Sequence, residues 1–186
     1  MPSCYDDSFP CQEPQYSEFN RLAAKELNNA PSANRIVNQP DFCTFLPINE
    51  AAKIGDLTHA DFLRALRGKV GIYHVWIEYE NCTDHNTFTM LCLYVGKGLA
   101  KARINEYLRD KPTVESNLYV TFHECPNRIA KYLEQLFLDT YYFAQNKNEN
   151  AGTTNLYAVW SDDLHLLGTE LDAVSAQSRL DSIDDL

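Results

Sequence analysis

Apolar residues along this chain change their period several times, and each change marks a predicted element. Between Ser17 and Asn29, Phe19, Leu22, Ala23 and Leu27 recur at helical spacing. Pro2, Pro10, Pro14, Pro31, Pro40 and Pro47 break up any longer regular element before residue 56, while Phe42, Phe45, Leu46 and Ile48 offer an apolar cluster able to pack onto a main body. Thr58 followed by Asp61 predicts a capping box with aspartate in place of glutamate, opening a helix whose apolar face is Phe62, Leu63 and Leu66 and which ends near Gly68. Val70 to Tyr79 and Met90 to Val95 are rich in β-branched and aromatic residues and predict the two strands of a hairpin. The polar connector with Asn81, Asp84, His85 and Asn86 is expected to be an exposed loop. A helix over Leu99 to Arg109, a strand over Leu118 to His123 and a helix over Asn127 to Phe143, entered through Pro126, complete an α+β order.

Composition bounds this picture. A chain of 186 residues, 45% of them apolar, can bury one hydrophobic core, and no run approaches the roughly 20 apolar residues that cross a bilayer. With no basic start and apolar stretch of a secretory signal, a soluble protein made in the cytosol is expected, with no membrane association. Cys4, Cys11, Cys43, Cys82, Cys92 and Cys125 show no CxxC pair, so reduced structural thiols are expected.

The formal net charge of −10 sits awkwardly with a nucleic-acid enzyme, because lysine and arginine normally supply affinity for phosphate. Its distribution softens the objection. Residues 161–186 hold seven acidic side chains against Arg179 alone, whereas residues 71–160 hold ten acids against eight bases. Five of those bases, Lys97, Lys101, Arg103, Arg109 and Lys111, fall in one short stretch, either a solvated helix face or a phosphate-binding patch. The chain thus divides into a partly helical N-terminal extension, 1–56, a main domain, 57–160, and an acidic tail, 161–186.

Candidate chemistry is carried by Gly71-Ile72-Tyr73 on the first hairpin strand and Tyr94-Val95-Gly96-Lys97 on the second. Each block sets a tyrosine near a glycine, which permits close approach of backbone or substrate. Arg103 and Tyr107 stand at i and i+4 on one face of the next helix, beside an apolar stripe of Ala100, Ile104 and Leu108. Glu134 falls at the border of an apolar helix face formed by Ile129, Leu133, Leu136, Phe137 and Thr140, where a carboxylate is poised for a hard divalent cation. Asn146 follows twelve residues later.

In this order the blocks resemble the GIY-YIG nuclease signature over residues 69–147, with valine where isoleucine is commoner. Arg103 comes one residue earlier after the second tyrosine than is usual in the bacterial excision-repair members. The resemblance implies a small domain with a three-stranded antiparallel central sheet flanked by helices, and a metal-dependent endonuclease that hydrolyses DNA phosphodiester bonds. It implies catalytic roles for Tyr73, Tyr94, Lys97, Arg103, Tyr107, Glu134 and Asn146, with Tyr73 favoured as the base and Glu134 holding one Mg or Mn ion. A monomer or weak homodimer acting on DNA follows. Two alternatives stay open: a nuclease-like module that binds DNA or protein without cutting, and a toxin or effector nuclease, delivered by a secretion system and held in check by an inhibitory or immunity-type protein.

Overall fold

The computed structural model describes residues 16–48, 57–110, 117–147 and 150–169. Helices α1 (Ser17–Glu26) and α2 (Ala33–Val37) lead into strand β1 (Phe42–Leu46). A single helical turn, α3 (His59–Phe62), and a 3-10 turn at Arg64–Leu66 precede the long hairpin β2 (Val70–Cys82) and β3 (Thr87–Leu99). Helix α4 (Ala100–Asp110), strand β4 (Leu118–Glu124) and helix α5 (Asn127–Thr140) follow. The chain then forms the short pair β5 (Tyr141–Tyr142) and β6 (Thr154–Asn155), the strand β7 (Tyr157–Ser161) and helix α6 (Asp162–Leu167). None of the described helices is long and apolar enough to cross a membrane.

The main sheet has five strands in the order β1-β4-β2-β3-β7, every neighbouring pair antiparallel. This corrects the expected three-stranded sheet: β4-β2-β3 is its centre, and the segments before and after add one strand at each edge. Helices cover both faces. Phe19, Ile36, Val37, Leu133 and Phe137 pack with Ile72, Trp76, Cys92 and Val95 on one side. Phe62, Leu66, Ala100, Ile104 and Tyr107 pack with Tyr73, Val75, Leu93 and Val120 on the other. With both faces covered, β2 is buried continuously from Gly71 to Trp76 instead of alternating.

The N-terminal segment is part of this core. The rings of Phe19 and Phe137 lie 4.2 Å apart, and Phe42 and Leu46 are sealed in the second cluster. The same segment also closes the outer edge of β7: Val159 N–H donates to Asn38 Oδ1 at 3.1 Å, and Tyr16 O–H donates to the Tyr157 carbonyl at 2.8 Å. At the other edge Cys43 N–H donates to the Thr169 hydroxyl and its carbonyl accepts the Thr169 N–H. Asp61 accepts the Thr58 N–H at 2.9 Å, the reach-back half of a capping box, but the helix it opens lasts one turn before tightening to 3-10. The hairpin connector is shorter than expected, residues 83–86, because β2 runs through Asn81 to Cys82 and β3 starts at Thr87.

Candidate active site

A bulge in β3 builds the site. Val75 pairs with Tyr94 but Trp76 pairs with Cys92, leaving Leu93 as an extra residue on that strand. The insertion reverses the side-chain alternation: Cys92 faces the α5 side of the sheet, and Tyr94 turns to the α4 side, where Tyr73 already points. The bulged Leu93 carbonyl accepts the Gln145 N–H at 3.0 Å. Gly96 stands directly across from Tyr73, and a Cβ there would lie 2.5 Å from the Tyr73 hydroxyl and 2.9 Å from the Tyr94 ring. Glycine is therefore what lets the two phenols share this space.

Strand β7 covers β3 only from Thr87 to Leu91, so the stretch carrying Tyr94 and Lys97 would be an open edge. The loop after α5 fills it. Asn146 Oδ1 accepts the Val95 N–H at 3.0 Å and its Nδ2 donates to the Val95 carbonyl at 2.9 Å, so one side chain replaces a strand's pairing. Asn150 in turn pins that loop by bonding both the N–H and the carbonyl of Phe143. Asn146 is thus placed behind the cleft, holding the strand that carries the site.

The cleft itself measures about 290 Å³ and is lined by Tyr73, Tyr94, Lys97, Arg103, Glu106, Tyr107, Asp110 and Glu134. Six of the seven sequence-predicted residues therefore meet there, from β2, β3, α4 and α5. The three phenols run in series, with ring centroids 6.0 Å apart for Tyr73 and Tyr94 and 4.9 Å for Tyr94 and Tyr107. The Tyr107 hydroxyl donates to Gln145 Oε1. Tyr107 is buried in the seating face of α4, not at its edge as the spacing suggested, while Arg103 keeps a side chain 59% exposed. On α5, Ala130 and Leu138 are both buried, so Glu134, one turn from each, emerges from an apolar stripe.

Electrostatics separate the tyrosines. Burial, then the neighbouring Tyr94, pushes Tyr73 far above the ordinary phenol range, and the two hydroxyls are hydrogen-bonded to each other. Burial is the largest cause and leaves Tyr94 raised as well; the hydrogen bond with Tyr73 and the charges of Arg103 and Lys97 pull the other way, and the Glu134 carboxylate adds to the rise. Tyr73 is 2% exposed and Tyr94 only half-buried, so Tyr94 is the phenol more open to the cleft.

The basic stretch is internally balanced. Lys97 is ion-paired with Glu134, Arg103 with Glu106 at 2.8 Å, and Arg109 with Asp110 at 2.8 Å. Lys101 donates to the Ala60 carbonyl at 2.9 Å, and Lys111 lies outside the described residues. Glu106 and Asp110 escaped the sequence reading, although Glu106 stands three residues after Arg103, a helical pairing distance. Gln145 and the Leu93 bulge carry no comparable signal.

Among the described residues no three His, Cys, Asp or Glu side chains converge as a metal-holding group. A divalent cation that keeps most of its waters needs only one protein carboxylate, and Glu134, side chain 18% exposed to the cleft, is a hard oxygen donor of that kind. Its carboxylate fits such an ion once the Lys97 ammonium releases it. No protein-family model, curated protein or solved structure matches this chain.

Proposed function

We propose that this cleft is the active site of a metal-dependent endonuclease that hydrolyses DNA phosphodiester bonds in the GIY-YIG manner. The observation that carries the reading is the convergence of Tyr73, Tyr94, Lys97, Arg103, Tyr107 and Glu134, drawn from four elements, around one polar cleft. Arg103 and Lys97 bind the scissile phosphate and offset its charge as the attacking water adds to phosphorus. Tyr94 takes the water proton as its phenolate and becomes the neutral phenol; the charges of Arg103 and Lys97 favour that phenolate against burial and the Glu134 carboxylate. A divalent ion on Glu134, when bound, supplies Lewis-acid stabilisation of the leaving oxygen.

Supercoiled plasmid incubated with the protein and Mg or Mn tests this. Wild type should nick it and a chelator should stop it. Glu134→Gln and Arg103→Ala, still folded by circular dichroism, should each be slowed by about a hundredfold or more. Undiminished nicking by either variant removes that residue from the site.

A second reading draws on the charge census: three carboxylates and two cations line the cleft, and both cations are paired. That balance suits a nuclease-like module that binds without cutting, or a nuclease kept in check by a partner protein. Retention of DNA without any product in either metal would favour the former.

A further inference from the structure

The Lys97–Glu134 ion pair joins strand β3 to helix α5 at the wall of the cleft. It is not a sealed core contact: the two side chains are 31% and 18% exposed. Lys97 also stands between Gly96 and Gly98, the latter with φ of +108°. The phenols beside Glu134 cannot substitute for the ammonium as a counter-charge, and the cleft's other cation, Arg103, is engaged by Glu106. In this resting arrangement Lys97 holds Glu134 Oε2, an oxygen a divalent cation would use, and it is itself a natural ligand for a phosphate oxygen.

The geometry points to an ion-pair exchange, in which a phosphodiester anion draws Lys97 off Glu134 and so opens the carboxylate to a divalent cation. This rests on the nuclease reading of the cleft and adds the order in which its parts engage. Phosphate and metal then bind cooperatively through one lysine, and by linkage each strengthens the other by the same factor. The resting protein, with the Lys97 ammonium on Glu134 Oε2, holds metal weakly.

Binding of Mn²⁺, followed from the electron paramagnetic resonance signal of the free ion, tests the exchange without turnover. The anionic probe is phosphorothioate-linked dithymidine, and the uncharged control is its methylphosphonate counterpart. For wild type, the anionic probe should tighten Mn²⁺ binding about fivefold or more, and the uncharged one should not. Lys97→Met should bind Mn²⁺ about fivefold or more tightly than wild type with no probe present, and should lose the enhancement. Lys97→Arg, which keeps the charge, should retain it. Matching melting curves establish that the variants are folded, and Lys97→Arg carries the test if Lys97→Met does not fold. Wild-type affinity in Lys97→Met, enhancement that survives in it, or no enhancement in Lys97→Arg overturns the exchange. If wild type and Glu134→Gln bind Mn²⁺ equally under every condition, the metal-dependent reading of the site falls and the exchange falls with it.

Discussion

At the scale of single residues, two positions explain themselves by what surrounds them. Gly96 is one: with the Tyr73 ring fixed in the core, a methyl group has no space to enter. Gly96→Ala should destabilise the fold by about 1–3 kcal/mol, read by denaturant unfolding, and should displace Tyr73 and Tyr94 enough to remove nicking. His74 is the other. Burial, and to a lesser degree His123, lowers it from 6.5 to about 3, and its Nε2 meets no hydrogen-bond partner. Between these two values the unfolded chain binds a proton that the folded one refuses. Stability therefore falls as pH drops through that window, by up to about 1.4 kcal/mol per pH unit. His74→Leu should flatten this acid limb in pH-dependent unfolding while staying within about 1.5 kcal/mol of wild type at pH 7. The tyrosines, Lys97, Arg103 and Glu134 were legible because their types and order form a pattern. The unequal burial of Tyr73 and Tyr94 was not, since it depends on depth in the core.

Elements were legible where burial on both faces makes composition uniform. Gly71 to Trp76 is such a run, and so is the apolar face of α5. The bulge was invisible for the same reason: Leu91, Cys92 and Leu93 are all apolar, so nothing in their pattern betrays a change of face. Asn146 was singled out by spacing alone, as one of several nearby asparagines. The structure gives it a definite task, and a prediction belongs here. Asn146→Ala leaves the Val95 N–H and carbonyl without their partners, so it should cost about 1–3 kcal/mol and speed hydrogen exchange at the Val95 amide. Unchanged exchange there would show that the side chain does not hold this strand.

For the whole molecule, the division into extension, domain and tail meets a core that draws on all three. Phe19, Ile36, Val37, Phe42 and Leu46 come from before residue 57, and Leu164 and His165 pack on the sheet from after residue 160. Prolines and polar residues obscured this, because the apolar positions between them are too scattered for any period to emerge. Residues 57–160 produced alone should lack a cooperative thermal transition, whereas 16–169 should retain one. A cooperative melt of the shorter fragment would make the outer segments dispensable.

The caps on β7 have a further consequence. A strand at the rim of a sheet ordinarily offers its outward amides and carbonyls to any chain that drifts past, and identical copies are the most abundant passers-by. Here Asn38 takes one such amide and Tyr16 serves one such carbonyl. The first helices thus act as a sheath against self-templating, and a chain stripped of them should be lost from solution as β-rich aggregate before any question of catalysis arises.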